Sequence, residues 1–121
     1  MGYEYVKGES FISEEHMLSC TEIAQMFGIC YSKENSKPYG RVVTSVIKDY
    51  VKRRNLKTYE FYYIGGRRAL RVYPSELYLP AMKEFIFMNK LVTEGEYTCS
   101  FENEETFFSF YFTKMNIIIR D

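Results

Sequence analysis

At 121 residues the chain holds one domain, or one domain with an appendage, and it can bury a core without metal or disulfide staples. Its 46% hydrophobic and 26% charged residues are ordinary for a globular protein, and no apolar run approaches the ~20 residues of a membrane span. The net charge of zero hides a pattern. Residues 1–40 carry −3, residues 41–90 carry eleven Lys and Arg against four acids for +7, and residues 91–121 carry −4, so a basic middle between acidic ends points to a polyanion partner.

Met1-Gly2-Tyr3-Glu4-Tyr5 lacks the basic-then-apolar layout of a secretory signal. Cys20, Cys30 and Cys99 are an odd number with no close pair, which is not a disulfide framework. Both observations suit a soluble, cytoplasmic protein. His16 and Cys20, four apart, together with Cys30 and Cys99 are residue types that suit zinc. No CxxC or HxxxH knuckle accompanies them, and isolated cysteines are among the most buried residues, so we assign no metal and no cofactor.

In chain order, Tyr3-Glu4-Tyr5-Val6 alternates as a short strand ended by Gly8, and a first helix is placed within Ser13 to Met17. Ser19 followed three residues later by Glu22 is a capping box. It opens a helix through Ile23, Ala24, Met26 and Phe27 that Gly28 stops. Residues Cys30 to Gly40 are polar and read as a loop. From Arg41 to Arg54 the spacing predicts a helix whose stripe Val43, Val46, Ile47 and Tyr50 is buried. Its opposite face carries Arg41, Thr44, Ser45, Lys48 and Lys52, followed by Arg53 and Arg54; the late cations also complement the helix dipole.

Tyr59 to Tyr73 reads as a hairpin turning at Gly65-Gly66. Counting outward from that turn sets Glu60 opposite Arg71, and it gathers Tyr59, Phe61, Leu70 and Val72 on a core face. Pro74 ends the hairpin, Ser75-Glu76 opens a further turn, and a helix restarts at Pro80 with Met82, Phe85, Ile86 and Asn89 along one side. Beyond residue 96 the chemistry is that of strands: Tyr97 to Phe101, an acidic turn over Glu102 to Glu105, a Phe-dense run from Thr106 to Thr113, and Ile117-Ile118-Ile119.

This order of elements is that of a winged helix-turn-helix, in which the second helix lies in a DNA groove and the hairpin contacts backbone or minor groove. The run Ser19-Cys20-Thr21-Glu22-Ile23-Ala24-Gln25-Met26-Phe27-Gly28-Ile29 resembles the opening helix of the MerR and phage excisionase class. Gly66-Arg67-Arg68-Ala69-Leu70-Arg71-Val72 with Pro74-Ser75-Glu76-Leu77 resembles that class's wing and the helix after it. The resemblance covers about 70 residues. It implies binding to double-stranded DNA as a transcription regulator or an excisionase-like architectural factor, encoded by a phage or mobile element. It also implies a wing role for Arg67, Arg68 and Arg71, and a recognition-helix role for Arg41, Thr44, Ser45 and Lys48. Lys52, Arg53 and Arg54 extend the nucleic-acid-binding set.

Two departures stand out. The class joins its helices by a tight turn, whereas Cys30 to Tyr39 are inserted here: an added DNA-contacting loop, or a sign that the second helix lies elsewhere. The class also lacks an acidic, Phe-rich tail. The expected fold is therefore α+β, with an N-terminal strand/helix extension (1–17), a winged helix-turn-helix (18–90) and a C-terminal β-hairpin or meander (91–121). Aromatics on both faces of Thr106 to Thr113 predict a two-fold dimer through the tail, the alternative being a monomer in which the tail strands are sandwiched. A rival function is that of a small protein-binding inhibitor or modulator of a host machine, acting through the acidic aromatic tail that includes Glu94 and Glu96. Catalysis is not expected, because the single His16 has no identifiable partner and no GxxxxGK[ST], GxSxG or HExxH motif occurs.

Overall fold

The computed structural model of the chain describes residues 2–7, 17–57, 60–65, 68–101 and 107–113, with the backbone alone for 2–7, 60–65 and 68–69. The described elements are β1 (Gly2–Lys7), β2 (Leu18–Ser19), α1 (Cys20–Met26), β3 (Ile29–Cys30), α2 (Gly40–Arg53), β4 (Glu60–Gly65), β5 (Arg68–Tyr73), α3 (Ser75–Met88), β6 (Gly95–Ser100) and β7 (Phe107–Phe112). They form an α+β fold with two small antiparallel sheets, one in the order β1-β4-β5-β2 and one in the order β3-β7-β6.

The local signals around α1 act as their chemistry demands. Ser19 accepts a hydrogen bond from the Glu22 N–H at 3.2 Å, and the Glu22 carboxylate accepts the Ser19 N–H at 3.0 Å. Two otherwise unsatisfied donors at the start of a short helix are thereby paired. Gly28, at φ +72°, turns the chain out of α1 into β3. In α2 the expected stripe is buried and joined by Val42 and Ser45. The helix runs Gly40–Arg53, one residue earlier at each end than the periodicity placed it.

Three expectations are corrected. Gly65 pairs with Arg68 and Phe61 with Val72, so the hairpin turns one residue later than a Gly65-Gly66 turn, and Arg71 stands opposite Tyr62. Glu60 instead faces Lys7 of β1. The two registers differ by two residues across the hairpin. Each therefore leaves the same residues on the same face, and a hydrophobic pattern of period two cannot separate them. Leu70, placed on the core face with Val72, is 51% exposed, whereas Val72 is buried at 2%; Leu70 lies two residues nearer the hairpin tip. The third helix starts at Ser75 rather than Pro80. Pro74 is its extended N-cap, and its carbonyl accepts both the Leu77 and Tyr78 N–H groups at 3.0 Å. Pro80 lies in the second turn of α3, where its missing N–H forfeits a single helical bond, to the carbonyl of Glu76, an exposed residue.

The strand at Tyr3 to Val6 is present, and it joins the hairpin sheet beside β4. The helix expected within Ser13 to Met17 falls outside the described residues except for Met17, which is buried and not helical. The acidic turn over Glu102 to Glu105 and the run Ile117 to Ile119 also lie outside them.

Residues after 90 share their core with those before. Phe108, Phe110 and Phe112 of β7 belong to the same buried cluster as Phe27, Val43 and Met82. Phe110 packs against Phe85 of α3 and Tyr97 of β6, with ring centroids 5.9 and 6.0 Å apart. The other face of β7 is only partly apolar and exposed: Phe107 is 71% exposed, Ser109 is polar, and Tyr111 is buried with its hydroxyl donating to Glu94 at 3.1 Å. The second sheet also recruits β3 from the segment between α1 and α2, and Thr113 N–H donates to the Gly28 carbonyl at 2.8 Å.

Candidate nucleic-acid interface

Helix geometry decides which α2 side chains reach solvent. At 100° per residue Arg41, Lys48 and Lys52 fall within an arc of about 40° and extend over about 16 Å of helix. All three are exposed, opposite the buried stripe, and among the described residues no carboxylate pairs with them. Arg41 lies over the Phe108 ring, its Cζ 5.8 Å from the centroid.

Thr44 and Ser45 flank this strip, and each is taken up by a neighbouring element. The Thr44 hydroxyl donates toward the Gly40 carbonyl at 3.2 Å and Cys20 Sγ at 3.1 Å. Ser45, expected on the outward face, is 5% exposed. At 100° per residue it stands about 60° from Val42, which is fully buried, so it lies at the border of the buried arc and falls inside it. Whether a serine at such a border is buried depends on what packs there, which the periodicity of α2 itself does not record.

On the α1 side, Cys20 is the point where the strip and the hairpin sheet meet. Burial pushes its thiol up from the usual 9.0, opposed by the Thr44 hydrogen bond, the Arg71 charge, the Tyr73 hydroxyl and the Lys48 charge. Lys48 of α2 and Arg71 of β5 therefore converge on one region of the surface. Arg71 stacks on the Tyr73 ring, with Cζ 5.0 Å from its centroid, and its buried Nε has no hydrogen-bond partner. Gly40 eases the close approach of α1 to α2. A Cβ there would lie 3.1 Å from Thr21 N and Thr21 Oγ1.

Arg53 and Arg54 are placed differently from the rest of the expected set. Arg53 Nε donates to Asp49 at 2.7 Å and its terminal nitrogen to Glu84, while Arg54 donates to the other Glu84 oxygen at 2.7 Å. The hydrogen bonds from Arg54 and then Arg53 hold the Glu84 carboxyl below its usual 4.5. The two arginines thus tie the end of α2 to α3, on the rim of a cavity of about 320 Å³ floored by Val46, Ala81 and Phe85. The Asp49–Arg53 spacing of four is readable from sequence; the partner 31 residues away is not. Of the residues expected in a wing, Arg67 lies outside the described residues and Arg68 is described only in its backbone pairing with Gly65.

Three further surface residues escape a reading by charge blocks. Tyr31, Lys33 and Lys37 are exposed on the segment leading into α2, but they belong to the acidic first third of the chain. As for metal chemistry, among the described residues no three His, Cys, Asp or Glu side chains come together, and Cys30 Sγ instead donates to the Tyr111 carbonyl at 3.4 Å. His16 lies outside the described residues. No helix there is long and apolar enough to cross a membrane. Comparison with known protein families, characterised proteins and solved structures finds no match to the chain.

Proposed function

We propose that the protein binds duplex DNA, as a transcription regulator or an excisionase-like architectural factor, with the exposed strip of α2 in a groove and Arg71 at its side. The observation that carries this reading is a contrast among cations of one segment. Arg53 and Arg54 are neutralised by Asp49 and Glu84, whereas Arg41, Lys48 and Lys52 share one outward strip without a carboxylate among the described residues. An α-helix about 10–12 Å across fits a major groove about 12 Å wide, and cations held there gain by releasing counterions from phosphates. Arg67 and Arg68 retain the wing role that the resemblance implies. The test is fluorescence anisotropy of a labelled generic duplex against salt. Wild type is expected to bind at low salt, and Lys48→Gln with Lys52→Gln to flatten the log–log salt slope by about 1.8, or 0.9 per phosphate contact, at unchanged melting temperature. No duplex binding by wild type at 50 mM salt, a condition of about the low-salt end of such titrations, overturns the reading.

A second reading, protein binding, is favoured by one feature. Phe87, Met88 and Val92 are 79%, 70% and 81% exposed at the end of α3, just before the acidic Glu94 and Glu96. An apolar patch with an acidic border suits a protein surface with a basic rim. Unchanged DNA affinity in the Lys48/Lys52 variant would favour it.

A further inference from the structure

The segment between α1 and α2 is an ordered hairpin. Tyr39 N–H donates to the Ile29 carbonyl at 2.9 Å, Tyr31 N–H to Lys37 at 3.2 Å, and Ser32 N–H to Asn35 at 3.0 Å. A bridge pairs Cys30 with Pro38. At the tip the Asn35 N–H donates to Ser32 Oγ at 2.8 Å and the Lys37 N–H to Asn35 Oδ1 at 3.2 Å. One arm of the hairpin is β3, held in the second sheet by β7, so the loop is anchored at its base and closed at its tip.

Its surface is aromatic and basic. Tyr31 is 46% exposed and lies on Tyr39 with ring centroids 4.1 Å apart and planes 18° apart. Tyr39 in turn meets Phe108 edge-on at 6.3 Å, and Phe108 is the ring over which Arg41 sits. Tyr39 and Arg41 therefore both meet one buried phenylalanine, with Tyr31 stacked on Tyr39, which sets the hairpin beside the N-terminal end of the cationic strip. Lys33 and Lys37 are exposed on the same hairpin with no carboxylate partner among the described residues, and Glu34 is the one acid within it.

We propose that the 29–39 hairpin is a second DNA-contacting arm: Lys33 and Lys37 bind backbone phosphates of the duplex just beyond the groove that receives α2, and the exposed part of the Tyr31 ring packs on a deoxyribose there. This rests on the DNA reading of α2. The chemistry is that of phosphate and sugar, which adds affinity and register without reading bases. Because the hairpin is already hydrogen-bonded, little ordering cost opposes the contact.

The experiment measures duplex binding against salt together with hydroxyl-radical footprints, for wild type, Lys33→Gln/Lys37→Gln and Tyr31→Ala. The double lysine variant is expected to flatten the salt slope by about 1.8 and to lose protection at one end of the footprint. Tyr31→Ala is expected to weaken binding several-fold with the slope unchanged, since packing on a sugar releases no counterion. If Tyr31→Ala lowers the melting temperature through loss of the Tyr39 stack, the exposed lysine pair alone decides. Wild-type slope and footprint in the lysine variant would overturn the arm while leaving the α2 reading intact. Absence of duplex binding by wild type would remove both, and tighter binding to a single strand of the same length would overturn the duplex assignment.

Discussion

Gly28→Ala tests whether the C-terminal strands are part of the fold rather than an attachment to it. Gly28 adopts φ +72°, and a Cβ at this position would stand 2.5 Å from the Thr113 carbonyl oxygen and 2.7 Å from Thr113 Oγ1. The nearest obstacle is backbone at the end of β7, so the strand must move if the side chain is to fit. The left-handed conformation alone costs a non-glycine residue about 1–2 kcal/mol. Displacing β7 weakens the 2.8 Å hydrogen bond from Thr113 N–H to the Gly28 carbonyl, which adds about 0.5–1.5 kcal/mol. A total destabilisation of about 2–3 kcal/mol is expected, lowering the melting temperature by roughly 6–12 °C for a chain of this size. Thermal and urea unfolding followed by circular dichroism measures it. Thr113→Ala, which removes the hydroxyl and the γ-methyl but leaves the backbone hydrogen bond, serves as the control and is expected to cost well under half as much. A Gly28→Ala protein within about 0.5 kcal/mol of wild type, the scatter of neutral surface changes, would show that β7 does not close over the end of α1 and would refute the argument.

Other expectations follow from the same geometry. Phe110→Ala, which empties a site 2% exposed between Phe85 and Tyr97, is expected to cost about 3–5 kcal/mol in the same unfolding assay; a cost near 1 kcal/mol, the average for any substitution, would contradict the packing. Arg53→Gln with Arg54→Gln is expected to leave the salt dependence of DNA binding unchanged while slightly lowering the unfolding midpoint, and a flattened salt slope would return both residues to the interface. Glu84 has a folded pKa below its ordinary 4.5, so its contribution to stability is complete above that pH and is lost as pH falls through the lower folded value. The stability gap between wild type and Glu84→Gln is therefore expected to close on acidification below pH 4.5, and a gap constant down to pH 2, about two units below an unperturbed carboxyl, would speak against the tether. Burial raises the Cys20 and Cys30 thiol pKa values, so native protein is expected to react with a thiol reagent at neutral pH more slowly than urea-unfolded protein; equal rates would refute it.

The sequence by itself determined the features that depend on neighbours in the chain. The Ser19–Glu22 capping box, the stop at Gly28 and the buried stripe of α2 are interactions of residues three or four apart, and all are found where the sequence placed them. The strand at Tyr3 to Val6, the hairpin as an element and the β-character of the tail were legible for the same reason. Tertiary structure decided everything that depends on a distant partner. The hairpin register was set by pairing that a period-two pattern cannot resolve, and Pro80 sits inside α3 because the helix is nucleated upstream at Pro74 and packed on the core. Within the candidate site, the outward placement of Arg41, Lys48 and Lys52 followed from helix periodicity. The burial of Ser45, the diversion of Arg53 and Arg54 to Glu84 and the meeting of Lys48 and Arg71 at Cys20 came from packing, the last two across 28 to 51 residues of chain. A local pattern records which face of an element is apolar; which distant side chain then covers or neutralises a polar one is a property of packing, and only the folded chain holds it.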